Sequence, residues 1–387
     1  MFSYIIVGAG FAGAVLAERI ARELDEKVLV IEKRNHIAGN AYDRYNADGL
    51  MVHQYGPHIF HTRIKEVWEY LSQFTEWRLY HHRVLGVIDG KKVPIPFNLN
   101  TLHEVFPSSL AQSLEEKLIG HFGYNVKVPI LKLREADDEQ LKFLADYIYE
   151  KVFLHYTMKQ WGVTPEEMDP AVTGRVPVYI SRDDRYFQDA YQAMPQEGYT
   201  RMFEQMLDHP NIKLMLNTNF NEVLEIKEGA IFAFDQEFTG KLIYTGMIDE
   251  LFDYKYGELP YRSLRFEFST LPEKTVQEVG TVNYPNDYTF TRITEFKHLT
   301  GQMHPHTTIV KEYPQPYNRH TEEQSIPYYP YVQPEPLALY EKYKAEAREY
   351  PQLLLVGRLA EYRYYDMDAV VAKALKVFRD KIAQHRE

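Results

Sequence analysis

The 387-residue sequence contains no cysteine. This absence excludes disulfides, thiolate metal ligands, iron–sulfur clusters and a cysteine nucleophile, and it fits a reducing, cytoplasmic environment. Any redox chemistry of this chain must therefore come from a bound cofactor.

Long apolar runs are also missing. No uncharged stretch approaches the roughly 18 residues that a membrane span needs, and the apolar N-terminal run has no basic start, since the first basic residue is Arg19. We therefore expect neither a signal peptide nor a membrane span, and we expect a soluble, cytoplasmic protein.

Basic residues are outnumbered, with 44 Lys and Arg against 55 Asp and Glu and a net charge of −11. The negative electrostatic field of such a chain repels polyanions and argues against a nucleic-acid partner, but a few local arginines can still bind a small anion.

The 31 tyrosines suggest aromatic-lined clefts, although most of them are expected simply to pack in the protein interior. The length predicts two or three domains, or one discontinuous domain with insertions.

The first 32 residues have the pattern of a βαβ unit. Apolar strands are predicted at 2–7 and 28–31, and a helix ends near Asp25. Between strand and helix, Gly8, Gly10 and Gly13 form G-x-G-x-x-G, in which the glycines allow a tight turn, close approach of a pyrophosphate and close helix packing. Glu32 ends the second strand and can accept hydrogen bonds from ribose hydroxyls, which a merely glycine-rich turn leaves unexplained. The pattern predicts dinucleotide binding.

Features at both ends of the chain favour FAD over NAD. A second glycine-bearing loop, 33–42, follows Glu32, and near the C-terminus the strand 352–356 leads through Gly357 to the start of a last helix. A helix N-terminus there can stabilise negative charge on the pyrimidine edge of a reduced flavin. An ordinary capped helix explains that segment equally well when it is taken alone.

The remaining sequence alternates between helical and strand-like patterns. A Leu-, Glu- and Lys-rich segment is typical of helices, with breaks or helix starts at Pro107 and around Asp137. The predictions are a helical insertion at 102–156, short strands at 220–245, an antiparallel sheet within 261–313, a loop or crossover at 314–336, and helices at 337–350 and 369–383.

Together these motifs resemble the UDP-galactopyranose mutase family, nearly from end to end. The resemblance is carried by Gly8–Gly13, Glu32 through Asn40, the G-P-H-I-F-H-T motif at 56–62, the regions of Trp161 and Arg175, the T-R-I-T-E motif at 291–295, and 357–368. One departure is Ala38, where the family usually has glycine. Its added methyl is expected to crowd the backbone beside the flavin.

The resemblance implies an α/β fold with a discontinuous Rossmann-like FAD-binding domain, a helical insertion and a small antiparallel β-sheet domain, with the substrate between them. The expected division is 1–79, 195–245 and 337–387 for the FAD-binding domain, 100–165 for the helical insertion, and 80–99, 166–194 and 246–336 for the sheet or substrate domain, with a mobile loop near 163–180.

The resemblance also implies roles for individual residues. Arginines of such a pair clamp a diphosphate through bidentate hydrogen bonds, and aromatic rings stack on the uracil. The expected catalytic residues are Arg175, Arg292 and His61; the expected substrate-binding residues are Tyr156, Trp161, Tyr186, Phe187, Asn283, Tyr329, Tyr364 and Asp366; and the expected cofactor-binding residues are Gly8, Gly10, Phe11, Gly13, Glu32, Lys33, Arg34, Gly39, Asn40, His58, Arg358 and Met367.

The implied activity is the interconversion of UDP-galactopyranose and UDP-galactofuranose without net redox change, as used in cell-wall or polysaccharide biosynthesis. It proceeds through a covalent iminium intermediate between the sugar and N5 of reduced FAD, with NAD(P)H as the external reductant, and relatives suggest a homodimer. The alternative is an FAD-dependent oxidoreductase of the amine-oxidase-like class, and a nucleotide-binding regulator is a further one. The sequence leaves open whether the N-acetylated sugar is accepted.

A metal site is not expected. His53, His58 and His61 are close in sequence, and His304 and His306 form a second group. Neither group has an H-E-x-x-H spacing or a convincing carboxylate partner, so the histidines do not follow a metal-binding pattern.

Overall fold

The computed structural model describes residues 2–162, 164, 166, 177–227, 229–321 and 325–386. The α-helices of these residues are α1 (Phe11–Leu24), α2 (Lys65–Leu71), α3 (Leu99–Val105), α4 (Ser108–Phe122), α5 (Ile130–Arg134), α6 (Glu139–Ile148), α7 (His155–Trp161), α8 (Tyr199–Leu207), α9 (Ile248–Leu251), α10 (Phe296–Thr300), α11 (Pro334–Ala347) and α12 (Met367–Val377).

The β-strands of the same residues are β1 (Tyr4–Val7), β2 (Val28–Ile31), β3 (Asp43–Tyr45), β4 (Met51–His53), β5 (Phe60–Thr62), β6 (Trp77–Leu79), β7 (Val84–Ile88), β8 (Lys91–Ile95), β9 (Val126–Val128), β10 (Val178–Ile180), β11 (Tyr191–Pro195), β12 (Ile212–Met215), β13 (Leu224–Lys227), β14 (Ala230–Ala233), β15 (Gln236–Glu237), β16 (Lys241–Tyr244), β17 (Tyr261–Leu271), β18 (Thr281–Asn283), β19 (Arg292–Glu295), β20 (Thr307–Pro316), β21 (Tyr329–Pro330) and β22 (Leu353–Leu355).

The predicted βαβ unit is confirmed as the centre of a five-stranded parallel sheet. Its order is β12-β2-β1-β16-β22, and every neighbouring pair is parallel. The sheet is apolar on both faces. Ile6 on β1 packs with α1, α8 and α12, whereas Ile5 and Val7 pack on the opposite side with α9 and α11. Burial on both faces explains why these strands are continuous hydrophobic runs.

The second large sheet has the strand order β21-β17-β20-β19-β18-β7-β8. Its pairs are antiparallel, with the exception of β18 and β7, which are parallel. The sheet therefore agrees with the predicted antiparallel class but is larger and contains one parallel pair. It also extends into the segment 314–336, predicted as a loop, because β20 continues to Pro316 and β21 lies within it.

The predicted helical segment is mostly helical, and its side chains form a third core with strands β7, β8, β9 and β10. The predicted helix start near Asp137 is confirmed, since the carboxylate of Asp138 accepts from the backbone N–H groups of Gln140 and Leu141. A π-helical turn at Tyr149–Leu154 links α6 to α7. The helical prediction is wrong at β9. Its polar and β-branched residues pair with β10, which lies about 50 residues further along the chain, so the local sequence pattern gives no sign of this pairing.

The C-terminal elements follow the prediction with shifted ends. Helix α11 begins three residues earlier than expected, because Pro334 occupies its first turn, where proline is favourable. Helix α12 starts at Met367 and continues as a π-helical segment, Phe378–Ile382. Among the described residues, none of the helices combines the length and apolar character needed to cross a bilayer. The domain boundaries given above stay a prediction.

Candidate functional site: a dinucleotide cleft beside an arginine cluster

The glycine turn joins β1 to α1 at the carboxyl edge of the parallel sheet. Gly8 has φ +102°, a conformation that side chains other than glycine's rarely allow. A Cβ on Gly13 would lie 1.9 Å from the carbonyl oxygen of Gly8, so this glycine allows the helix to pack on the turn. Glu32 is buried at the end of β2, and its carboxylate accepts from the backbone N–H of Ala9 at 2.9 Å and of Arg34 at 3.0 Å.

The second loop approaches the glycine turn closely. A Cβ on Gly39 would lie 2.9 Å from the Cα of Gly10. Ala38 is buried and has φ +72°, and its N–H donates to the carbonyl of Ala9 at 2.9 Å. The methyl of Ala38 is therefore accommodated in a left-handed conformation, which costs a non-glycine residue about 1–2 kcal/mol, and the two loops still meet.

A cleft of about 750 Å³ lies over this edge of the sheet, a size in the range of cofactor sites. Its walls come from the glycine turn, the second loop, the segment 325–328 and the start of α12. The residues predicted to bind cofactor that line it are Gly8, Gly10, Phe11, Glu32, Lys33, Arg34, Gly39, Asn40, His58, Arg358 and Met367; Gly13 lies beneath the turn instead.

Side chains around the cleft are held by hydrogen bonds and ring contacts. Arg34 donates to Asn40 at 3.0 Å, and its guanidinium lies 4.3 Å from the ring centre of Tyr55. His58 donates from Nδ1 to the carbonyl of Gly56 at 2.9 Å. Burial, followed by the neighbouring His53, lowers the pKa of His58 to about 3, so this imidazole is neutral at pH 7 and contributes no charge to the cleft.

The far wall is formed by Arg358, which follows β22. Its guanidinium donates to the carbonyl of Tyr365 at 2.6 Å and to that of Tyr328 at 3.1 Å. Asp366 is the N-cap residue of α12, with no capping bond from its side chain. The N-terminal residue of that helix, Met367, lines the cleft, so free N–H groups and the positive end of the helix dipole lie at its edge.

An arginine cluster, made up of Arg292, Arg262 and Arg358 around the ring of Tyr329, lies at the second sheet. Arg292 on β19 is the direct cross-strand neighbour of Glu312 on β20, and its Nε donates to Oε1 at 2.6 Å. The Glu312 side chain is fully buried, while that of Arg292 keeps 32% exposure. Burial alone lowers the pKa of Arg292, but the Glu312 carboxylate outweighs it and the pKa is raised. A fixed guanidinium with one open side is suited to bind an anion.

Aromatic rings surround this cluster. Tyr329 and Tyr364 are stacked with centroids 4.7 Å apart and an interplanar angle of 8°. The guanidinium of Arg358 lies 4.5 Å from the Tyr329 ring centre, and that of the buried Arg262 lies 5.6 Å from it. Burial raises the pKa of Tyr156, and the positive charge of Arg292 opposes this rise. The structure therefore brings Tyr156 and Tyr329 near Arg292, and it places Tyr364 against Tyr329.

The predicted pair Tyr186 and Phe187 forms a T-shaped contact at 4.9 Å. Phe187 also stacks on His61, with centroids 3.6 Å apart. Asn283 is the cross-strand neighbour of Arg292. Trp161 ends α7, and its side chain lies outside the described part of the chain.

Arg175 lies outside the described residues. In the described residues, no group of three or more histidine, aspartate or glutamate side chains is arranged to hold a metal ion.

Four residues near the site were missed by the sequence analysis: Glu312, Arg262, His82 and Asp189. A signal existed for Glu312, because Thr308, Val310 and Glu312 alternate on the buried side of β20, and a carboxylate at an inward position of a strand needs a partner. The other three have no local pattern that separates them from surface residues.

The parallel sheet, the glycine turn and the cleft define a Rossmann-like dinucleotide-binding fold, and a family model described as NAD(P)-binding Rossmann-like domain matches residues 6–74. A second model, described as UDP-galactopyranose mutase, matches residues 151–364. The chain belongs to the UDP-galactopyranose mutase family and is an isomerase.

Individual relatives agree with this assignment. A protein of Klebsiella pneumoniae named "Probable UDP-galactopyranose mutase" is 37% identical over 99% of this chain and 96% of its own length. The dTDP-fucopyranose mutase of Escherichia coli is 33% identical over 100% of both chains. Among solved structures, a reduced UDP-galactopyranose mutase has a TM-score of 0.73 at 16% identity, covering 100% of this chain and 95% of that one, which supports the fold.

Proposed function

We propose that the chain binds FAD in the cleft and, with the flavin reduced, interconverts UDP-galactopyranose and UDP-galactofuranose. The observation that carries this proposal is the fixed guanidinium of Arg292 on the sheet beside the dinucleotide cleft of a member of this family. NAD(P)H as the external reductant and a homodimeric assembly are parts of the same proposal and rest on the family resemblance.

The residues of the cleft fit a flavin dinucleotide. The glycine turn leaves backbone N–H groups free for a pyrophosphate, and a Cβ on Gly39 would close the gap to Gly10. The buried hydroxyl of Tyr328 lines the cleft and has no hydrogen-bond partner within the described ranges, and a bound polar cofactor would satisfy it. When bound and reduced, the flavin supplies an electron-rich nitrogen able to attack an anomeric carbon.

The side chains of the second sheet would hold the nucleotide sugar. Arg292, fixed by Glu312, binds the diphosphate and stabilises the negative charge that grows on it as the sugar bond breaks. Arg175 is proposed as its partner. Tyr329 and Tyr364 donate from their hydroxyls to the phosphate and sugar oxygens, with Asp366 and Asn283 alongside. Tyr156, Trp161, Tyr186 and Phe187 are proposed to enclose the uridine.

The decisive experiment is chromatography of UDP-galactofuranose incubated with the flavin-loaded protein, either oxidised or reduced with dithionite. We expect UDP-galactopyranose to form only with the reduced protein. Bleaching of the oxidised flavin by UDP-galactose under anaerobic conditions would instead support the oxidoreductase alternative. Full activity with oxidised flavin would contradict the proposal.

Variants test the anion site. Arg292→Ala removes a charge-assisted hydrogen bond worth about 1.5–3 kcal/mol, so turnover should fall at least tenfold. The matched control is Arg265→Ala, because Arg265 on β17 of the same sheet is 49% exposed. Its contacts are a long ion pair of 4.0 Å with Glu267 and the ring of Tyr313. Equal losses in both variants would show that Arg292 has no specific role.

The base and sugar of the substrate need a second assay. The full-length similarity to a dTDP-fucopyranose mutase makes dTDP-fucose an alternative substrate of the same reaction type. Parallel measurements of kcat/KM with UDP-galactofuranose and dTDP-fucofuranose decide between them, and we expect the UDP sugar to be preferred.

A further inference from the structure

The residues proposed to hold the substrate lie on two separate parts of the chain. Helix α7 carries Tyr156 and Trp161. Strands β18 and β19 carry Asn283 and Arg292, at the two ends of the connecting segment 284–291. Tyr156 is near enough to Arg292 for each to shift the pKa of the other. The contacts between α7 and the segment 284–291 therefore determine how the two parts of the site are placed relative to each other.

Lys159 on α7 reaches across to this segment. Its ammonium donates to the main-chain carbonyls of Tyr284, of Tyr288 at 3.1 Å and of Phe290 at 3.4 Å. Burial lowers the pKa of Lys159 to about 8, so at pH 7 the side chain is still an ammonium with three N–H donors. A compact charge with three donors suits three carbonyls that converge on one position.

The segment that accepts these bonds is packed on itself. The rings of Tyr284, Tyr288 and Phe290 contact one another, with centroids between 4.9 and 5.1 Å apart. The backbone N–H of Tyr284 donates to the carbonyl of Thr291 at 2.8 Å, which closes the turn between β18 and β19. A bond that fixes this segment to α7 therefore also fixes the strand ends on either side of it.

Two further side-chain contacts link the same parts. The Gln160 amide donates to the Thr291 hydroxyl at 3.1 Å, and Nδ1 of His155 donates to the amide oxygen of Asn286 at 2.8 Å. The first is a bond between uncharged groups and the second is exposed to solvent, whereas Lys159 donates from a half-buried charge. Charge-assisted hydrogen bonds are the stronger kind, so we expect Lys159 to make the strongest of these links.

We propose that Lys159 is a positioning residue that fixes α7 to the segment 284–291, so that the subsites for the base and for the diphosphate are held at the separation that one nucleotide requires. This inference rests on the proposed function. A ligand that occupies both subsites benefits from their fixed separation, because its second contact is then intramolecular. A ligand that occupies only one subsite does not.

The test compares UDP with its two fragments, uridine and inorganic pyrophosphate. The protein is flavin-loaded, so that the cofactor cleft is already occupied, and Kd is measured by calorimetry for UDP and by ligand-observed NMR for the fragments. In Lys159→Met we expect the Kd of UDP to rise about tenfold or more, and that of each fragment to change by less than about twofold. An unchanged Kd for UDP, or an equal rise for the fragments, would overturn the inference.

Kinetics of the reduced enzyme provide the second readout. Displaced subsites weaken the binding of UDP-galactofuranose but leave the reacting groups beside the flavin in place. Lys159→Met should therefore raise KM by the factor found for UDP and lower kcat by less than about threefold. Lys159→Arg keeps the charge and should retain part of the affinity, although a planar guanidinium matches the three carbonyls less well. A lower kcat with an unchanged KM would contradict a positioning role.

The matched control is Lys151→Met, the same substitution two helical turns earlier. The ammonium of Lys151 lies 3.2 Å from the carboxylate of Asp89 and 3.7 Å from that of Glu150. Only the backbone carbonyl of Lys151, which the substitution leaves in place, accepts from Asn286. We expect a wild-type Kd for UDP and a wild-type KM. A loss as large as in Lys159→Met would show that removing any charge from this part of the chain has the same effect.

The outcomes separate this inference from the proposed function. A wild-type enzyme that does not interconvert the UDP sugars refutes the proposed function, whereas an active enzyme whose Lys159→Met variant binds UDP like wild type refutes only this inference. Thermal unfolding shows whether each variant is folded, with Lys159→Gln as the milder substitution. If neither Lys159→Met nor Lys159→Gln folds, the lysine stabilises the fold rather than the site, and the inference is wrong.

Discussion

The ion pair between Arg292 and Glu312 allows a quantitative test of how the anion site is held. Arg292→Met removes the cation and leaves a carboxylate that is fully buried, with its Oε2 already lacking a partner in the described part of the chain. Removing one partner of a buried pair costs about 3–5 kcal/mol. The Arg292 side chain keeps 32% exposure, so we expect the lower end, about 3 kcal/mol.

The assay is urea unfolding followed by intrinsic fluorescence. With a denaturant slope of about 3 kcal/mol/M, at the upper end for urea, the expected loss moves the midpoint of Arg292→Met down by about 1 M. The double variant Arg292→Met/Glu312→Gln no longer buries a charge and should recover most of this shift. Such non-additivity is expected for residues in direct contact.

The control is the exposed pair on the same sheet, Arg265 and Glu267, whose side chains are 49% and 45% exposed. Exposed pairs contribute about 0–1 kcal/mol, so Arg265→Met should move the midpoint by less than a third of the Arg292→Met shift. The reasoning is refuted if Arg292→Met unfolds at the wild-type midpoint, or if the double variant is no more stable than the single one.

Two further predictions concern the glycine turn and acid stability. A Cβ at residue 13 would lie 1.9 Å from a backbone oxygen of the turn, whereas a Cβ at residue 10 would have its nearest neighbour at 3.7 Å. Gly13→Ala should therefore disrupt folding. Gly10→Ala should melt at the wild-type temperature but lose bound flavin, which the flavin absorbance measures. Normal flavin content in Gly10→Ala would contradict this role. Burial lowers the pKa of His53 to about 4 and those of His58 and His82 to about 3. Their stabilisation is complete above the unfolded value of 6.5 and is lost progressively as the pH falls from that value to the folded values, by up to about 1.4 kcal/mol per histidine and pH unit. Urea midpoints at pH 7 and pH 5 test this, and equal midpoints would exclude it.

The parts of the structure that the sequence predicts are those coded locally. The turn from Gly8 to Gly13 and the acid at Glu32 lie within one βαβ unit. Backbone geometry demands glycine in the turn, and the Glu32 carboxylate accepts from backbone N–H groups next to it. Asp189 could not be predicted, and the alternation of β20 indicates only that Glu312 needs a partner, not that the partner is Arg292. In both cases the tertiary fold alone brings the partner near. Asp189 meets His61 where β5 and β11 pair. The pairing register of two distant strands determines such contacts, and no periodic pattern within either strand reveals that register.

The cleft and the arginine cluster share one wall. Tyr328 and Tyr329 are consecutive, and their ring centres lie 6.5 Å apart at an interplanar angle of 34°. Tyr328 lines the cleft, and Tyr329 stacks on Tyr364 beside the arginines. Arg358 joins the two sides, because it lines the cleft, donates to the carbonyl of Tyr328 and lies over the ring of Tyr329. We therefore expect a dinucleotide bound in the cleft to restrain Arg358 and, through it, the position of Tyr329 in the anion site.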